Sequence, residues 1–220
     1  FTGDIDLGAE AFPFMAWREG TVGGVAARLF RVSFTGELSF EINVPARYGL
    51  GLWTAFMNAG EKYGITPFGT EAMHVLRAEK GYIIVGQDTD GTVTPFDAGM
   101  GWAVGKKKPD FVGKRGLARP DLVAEGRKQL VGLLTEDNSK LEEGAQIVFD
   151  PHQPVPTKMV GHVTSSYDVG TSGRPIALAL VEGGQSRMGE TVHIPMPDRT
   201  IAAKITSTIF VDPENARLKI

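Results

Sequence analysis

From residue 130 to 205 the chain breaks into short, largely apolar runs, and glycine or proline falls between the runs. The runs are 130–134, 145–149, 159–165, 176–181, 191–194 and 201–205, and no helical period survives across them. Short runs at turn-marked intervals read as β-strands, and six of them punctuated by glycine and proline fold as a small β-barrel or a sandwich.

The chain upstream has a different rhythm. AARLFRVSF (26–34) and LSFEINV (38–44) alternate as strands, with Thr35-Gly36-Glu37 as the turn between them. In the second of these, Leu38, Phe40, Ile42 and Val44 point to one face, and Ser39, Glu41 and Asn43 to the other. Residues 48–63 carry a helical stripe of Leu50, Trp53, Phe56 and Met57, closed by Gly64. A second helix over 67–80 has Thr70 at its cap and Gly81 as its stop. Turn chemistry follows at Gly86-Gln87-Asp88 and Asp90-Gly91. A compact apolar strand around Trp102 then ends at Gly105.

This order gives an α+β fold, an antiparallel sheet with covering helices followed by the β-barrel. The segment 106–126, with six lysines and arginines among glycines and prolines, marks the boundary between domains 1–120 and 121–220. The opening segment FTGDIDLGAEAFPF has no recognisable fold start, which reads as the C-terminal portion of something longer.

A net charge of -3 offers no footprint for nucleic acid or an anionic membrane, and no apolar run has membrane-spanning length. The expected partner is a small molecule or another protein. The absence of cysteine excludes disulfides, thiolate metal sites and a cysteine nucleophile, and fits a reducing, cytoplasmic setting. His74, His152, His162 and His193 lack metal-ligand spacing, no serine sits in a Gly-x-Ser-x-Gly elbow, and no Gly-x-Gly-x-x-Gly loop is present.

Glu41 is the sharpest single residue. A strand carboxylate flanked by apolar neighbours can accept two parallel hydrogen bonds from a heterocycle with adjacent N–H donors; equally, it can sit on the strand's wet face. Arg31 and Ser33 on the preceding strand share that polar face in this reading, or pair with Glu41 at the surface. Tyr82 and Trp102 offer rings for stacking or are core. Lys106-Lys107-Lys108 is an anion-attracting run or a solvated turn.

Three segments, in order, resemble the aminomethyltransferase family, of which the glycine cleavage T-protein is the type. They are Arg31-x-Ser33-Phe34-Thr35-Gly36-Glu37-x-x-Phe40-Glu41-Ile42; the stretch from Gly69 to Gly105 with Leu76-Arg77-x-Glu79-x-Gly81-Tyr82, Gly86-Gln87-Asp88, Thr94-Pro95 and Trp102; and Gly161-His162-Val163-Thr164-Ser165 followed by Pro175-Ile176-Ala177-Leu178-Ala179. Within the family, these phrases and the closing VDPENAR are most similar to the α-subunit branch of the heterotetrameric sarcosine oxidases.

That resemblance implies a tetrahydrofolate-binding region. In such an enzyme, flavin-dependent oxidation of N-methylglycine gives an imine, and the folate takes up its one-carbon unit as 5,10-methylenetetrahydrofolate; glycine and hydrogen peroxide are the other products. FAD, FMN and NAD are expected elsewhere in the full enzyme. The implied partners are the folate, the sarcosine-derived imine and the other sarcosine oxidase subunits of a hetero-oligomer. Carried over by position, Glu41 matches the carboxylate that holds the pterin ring through its N–H groups, Tyr82 an aromatic lining the folate site, and Arg217 an arginine meeting the benzoyl-glutamate. Phe34 stands where the T-protein has a pocket tyrosine, and Met73 where it has an arginine. Both departures fit a branch that receives its imine through an internal cavity instead of from a lipoyl arm. The family's catalytic aspartate would precede Phe1, so no catalytic base is expected in this chain. Other readings on the same fold are a dimethylglycine or sarcosine dehydrogenase, the T-protein itself, a non-catalytic folate-binding module, or a subunit that only packs against partners. The module reading rests on Lys80-Gly81-Tyr82-Ile83-Ile84-Val85-Gly86-Gln87, which echoes a Lys-Gly-Cys-Tyr-x-Gly-Gln motif without its cysteine.

Overall fold

The computed structural model describes residues 2–168 and 170–219. They form two compact units, one of residues 1–74 with 212–220 and one of residues 75–211.

The first unit is built on a three-stranded antiparallel sheet, β1 (Trp17–Val22), β2 (Val25–Phe30) and β3 (Glu41–Asn43), in that order. Gly23 and Gly24, at φ 57° and 79°, join β1 to β2; a two-residue turn that needs positive φ at both positions selects glycine twice. The inner face of the sheet packs Val22, Ala27, Leu29 and Ile42 around Phe12, under helix α1 (Gly49–Gly60). The helix turns Leu52 and Phe56 to this core. Leu50 and Trp53 of the expected stripe stay 79% and 56% exposed. Phe56 of the stripe does face the core, but Leu50 and Trp53 do not, because α1 is apolar around much of its circumference and the i, i+4 pair Leu52–Phe56 fits the cluster under the sheet.

Helix α2 (Thr70–Glu79) leads into the second unit and ends where Gly81 adopts φ 76°. There the Tyr82 amide donates to the Arg77 carbonyl at 2.9 Å and the Gly81 amide to Ala78 at 2.9 Å, the paired closure that a left-handed residue permits. The strand expected around Trp102 is absent. Instead, Asp97 accepts hydrogen bonds from the Thr94 amide at 2.9 Å and hydroxyl at 2.8 Å, which commits the backbone to a turn, and a single 3-10 turn (Gly101–Ala103) leaves Trp102 exposed. In the basic segment only the short helix α3 (Lys114–Leu117) forms.

All six expected C-terminal strands form: β4 (Lys128–Thr135), β5 (Gln146–Ile147), β6 (Gly161–Tyr167), β7 (Ile176–Glu182), β8 (Thr191–Pro195) and β9 (Thr200–Thr206). Their order is β5-β6-β7-β4-β9-β8, antiparallel throughout, and Val148 and His193 exchange two backbone hydrogen bonds of 2.9 Å to bring the ends together. The result is a nearly closed barrel filled by Val131, Leu133, Val163, Ala179, Ile194 and Ile205, among others. Its outer face over β4, β6 and β7 carries Leu130, Tyr167, Leu178 and Leu180, covered by Val75 and Ala78 of α2 and by Ile83 and Val93.

Candidate functional site

The register of the first sheet gathers side chains that are distant in sequence. Trp17 lies opposite Phe30, and Phe30 opposite Glu41, so these three form one row across all three strands. Glu19, Arg28 and Asn43 form the next row on the same face. Arg28 donates to Glu19 at 2.8 and 3.2 Å and holds its guanidinium 5.3 Å from the centre of the Trp17 ring. Beside them lies a hollow of about 770 Å³ lined by Glu19, Arg28, Phe30, Asn43, Val44 and Pro45. Glu41 itself is exposed and has no hydrogen-bond or ion-pair partner among the described residues. Its oxygens are therefore open acceptors, opposite Phe30 and with Trp17 beyond it in the same row.

Of the other expected site residues, Phe34 is exposed in the connection from β2 to β3. The turn after it is closed by the Ser33 hydroxyl, which accepts from the Gly36 and Glu37 amides at 2.9 and 3.0 Å. Arg217 donates to Glu37 at 2.7 Å, which ties the C-terminal segment to that turn. Phe34, Glu41 and Arg217 thus belong to the first unit, whereas Tyr82 belongs to the second. Arg31 does not share the Glu41 face. It continues the inward parity of Ala27 and Leu29, is buried, and donates to the Phe12 carbonyl at 3.1 Å while lying over the Phe40 ring. Ser33 serves its own turn. Trp17 escapes the sequence reading because β1, broken by Gly20 and two charges, gives no strand pattern; the signal available is the Gly23-Gly24 pair ahead of an alternating run, whereas Phe30 lies in a run read as a strand and only register places it opposite Glu41.

In the second unit, Tyr82 is half-buried, and burial pushes its phenol above the ordinary value, so it stays protonated at neutral pH. Behind it lies a closed polar network. Arg77 and Asp88, both 0% exposed, pair at 2.5 Å. Arg77 also donates to the Tyr82 carbonyl at 3.1 Å, to Ser165 at 2.9 Å and to the Tyr167 hydroxyl at 3.2 Å. Asp88 accepts from Thr164 and Ser165, each at 2.6 Å, and from the Ile84 amide at 2.9 Å. Asp97 forms a second such centre. Burial works to raise its pKa, but the hydrogen bonds from Arg127 and Thr94 outweigh it and hold the carboxyl below its ordinary range. These groups fasten α2 and the turns after it to the barrel wall, so most of the motif residues that carry the family resemblance are scaffold.

Comparison with known proteins bears on this arrangement at three levels. The model described as the GCVT N-terminal domain matches residues 1–108, and that of the glycine cleavage T-protein C-terminal barrel domain matches residues 128–212. The chain belongs to the glycine cleavage T-protein family. Among its relatives, the sarcosine oxidase subunit alpha of Corynebacterium sp. (strain U-96) is 48% identical over 97% of this chain and 22% of its own length. The subunit of the same name from Rhizobium meliloti (strain 1021) is 40% identical over 99% of this chain and 22% of its own. An aminomethyltransferase of Clostridium botulinum (strain Okra / Type B1) is 35% identical over 91% of this chain and 52% of that protein. The crystal structure of the glycine cleavage system aminomethyltransferase T from Bartonella henselae superposes with a TM-score of 0.77 at 26% identity, over 90% of this chain and 52% of that one. The chain therefore spans about a fifth of the first relatives and about half of the aminomethyltransferases. No helix of the described residues is long and apolar enough to cross a membrane.

Proposed function

We propose that this chain is the tetrahydrofolate-binding region of a sarcosine oxidase α subunit, working with the other subunits of a hetero-oligomer. The observation that carries the reading is the row Trp17–Phe30–Glu41: a carboxylate without a partner among the described residues, in line with two aromatic rings of which Phe30 lines a hollow wide enough for a bicyclic heterocycle. Identity of 48% to a sarcosine oxidase subunit alpha supports the choice of branch.

The residues fit the ligand. Glu41 would take two adjacent N–H donors of the pterin in a charge-assisted pair of hydrogen bonds, the geometry a carboxylate offers best. Trp17 and Phe30 would give its ring plane an apolar flank, with Phe34 as the aromatic nearer the turn. Arg217, steered by Glu37, would meet the carboxylates of the glutamate tail, and Tyr82, whose phenol stays protonated, is the aromatic that the family resemblance carries over to folate binding. When bound, the folate supplies the nitrogen that takes up the one-carbon unit of the imine as 5,10-methylenetetrahydrofolate. The chain's own contribution is to hold and orient, since positioning two reactants converts a bimolecular step into an effectively unimolecular one. Glycine and hydrogen peroxide, and the FAD, FMN and NAD of the complete enzyme, belong to the same proposal. So does the division of the chain into a folate-binding part (1–120) and a barrel domain (121–220).

Tryptophan fluorescence during titration with tetrahydrofolate tests it. Glu41→Gln keeps the shape and loses the charge, so binding should weaken about tenfold or more, as expected for a charge-assisted hydrogen bond of about 1.5–3 kcal/mol. Unchanged affinity in Glu41→Gln removes Glu41 from the site. Saturable binding that survives Trp17→Ala and Phe30→Ala without loss moves the ligand off this sheet face altogether.

A further inference from the structure

A second hollow lies on the outer wall of the barrel, in the second unit, and nothing in the folate reading uses it. It has a volume of about 280 Å³ and is lined by Asp90, Thr92, Val93, Arg127, Lys128, His162 and Leu180. The strand register explains how it forms. His162 of β6 lies opposite Leu180 of β7, Leu180 lies opposite Leu130 of β4, and Lys128 is two residues along β4 on the same outer face. Leu180, buried, is the floor. The turn Asp90–Val93 forms one rim and Arg127 the other.

The groups around the hollow divide into committed and uncommitted ones. Arg127 is committed: its guanidinium reaches Asp97, the Asp121 carbonyl at 2.8 Å and the Thr92 carbonyl at 2.5 Å, so its charge is fixed in place and balanced by Asp97. Asp90 is committed to its own turn, one oxygen accepting from the Thr92 amide and hydroxyl, both at 2.7 Å. Lys128 and His162 are not: neither the ammonium nor the imidazole makes a hydrogen bond or ion pair among the described residues. Donors facing a hollow with an apolar floor are what an oxyanion site requires.

We infer that this hollow binds the carboxylate or phosphate-type head of a small anionic ligand, with Lys128 and His162 as its direct donors and Arg127 as a fixed positive wall. The volume, at the lower end of small-molecule sites, admits a compact acid and not a nucleotide.

Three charged groups face His162: Lys128 and Arg127 from the β4 side, and Asp90 from the turn. Its strand neighbours, Gln146 on β5 and Leu180 on β7, are neutral. Burial, with Lys128 adding to it, holds the imidazole below its ordinary pKa against the pull of Asp90, so His162 is neutral at pH 7 and the site charges as the pH falls. Anion binding should strengthen on acidification, and a bound anion should raise the His162 pKa by linkage.

The experiment is an NMR titration of the histidine ring signals, with His162→Gln assigning the resonance, in the presence of sulfate and separately of acetate. Both probes are anionic from pH 6 to pH 8, the range compared. The expected result is a saturable shift of the His162 signal, tighter at pH 6 than at pH 8, and weakened about tenfold or more in Lys128→Met, a substitution at an exposed strand position that leaves the fold intact. A response to sulfate alone assigns a tetrahedral oxyanion, and a response to acetate assigns a carboxylate. The inference fails if neither probe moves His162, or if Lys128→Met binds as the parent does. Folate binding at the Glu41 face should be unaffected by Lys128→Met, so the two readings fail separately.

Discussion

The two units treat polar side chains in opposite ways. In the second, Arg77 and Asp88 are wholly buried, and each is met by several partners from the barrel and from the turns after α2. In the first, Glu41 stands exposed without a partner among the described residues, and α1 shows solvent a second apolar side at Leu50 and Trp53. Breaking a buried ion-paired network is costly, whereas changing an open side chain costs the fold little. The residues that make the family recognisable and the residues offered for binding are therefore, for the most part, different sets.

The widest gap between the two should come from Asp88→Ala. It strands the buried Arg77 charge, and losing one partner of a buried pair costs about 3–5 kcal/mol. At about 2–4 °C per kcal/mol for a chain of this size, thermal unfolding followed by circular dichroism should show a midpoint lower by about ten degrees. Glu41→Ala, by contrast, should unfold with the parent. Equal loss in both would erase the distinction.

Next is the barrel interior. Ile194, fully buried, should cost about 2–5 kcal/mol on truncation to alanine, depending on how far the cavity collapses, and urea unfolding would measure it. A smaller effect concerns acid. Because Asp97 is held below its ordinary range in the fold, its contribution is present above the unfolded carboxylate value of roughly 3.9 and is lost as the pH falls through the lower folded value. Asp97→Asn should therefore flatten the fall in stability over that acid window, and unfolding midpoints measured from neutral pH downward would show it. Smallest of all, Leu50→Ser on the exposed side of α1 should move stability by no more than about 0.5 kcal/mol. A loss several times larger would show that this side is covered in the working protein, and would sharpen the contrast between the units into one between a finished surface and an unfinished one.

How much of this was legible beforehand follows the same line. The barrel strands were readable because glycine and proline cut the chain into short runs with no helical period, although β7, IALALVE, is buried on both faces and does not alternate. Strand β1 was not, since Gly20 sits where its core face meets Ile5 and gives no apolar signal. The side of α1 was misjudged because Leu50, Leu52, Trp53, Phe56 and Met57 are all apolar, and only the tertiary partner decides which of them is covered. Glu41 could be named from its strand position and from resemblance. Its row neighbours Trp17 and Phe30 come from strand register, a property of pairing that no single segment encodes. Arg31 shows the converse: a charge on an alternating strand reads as belonging to the wet face, but it lies inside, where its guanidinium donates to the Phe12 and Leu7 carbonyls and rests over the Phe40 ring.

The closure of the barrel has a kinetic side. Five of its strand junctions are ladders, but the last, between β5 and β8, is a single pair of amides at Val148 and His193, steadied by a 3.0 Å contact between the His193 ring and the Phe149 carbonyl. Local opening begins where the fewest backbone bonds must break together. The seam should accordingly exchange its amide protons well ahead of the β4–β7 ladder at the centre of the sheet, letting the cylinder breathe along one line while its core stays packed.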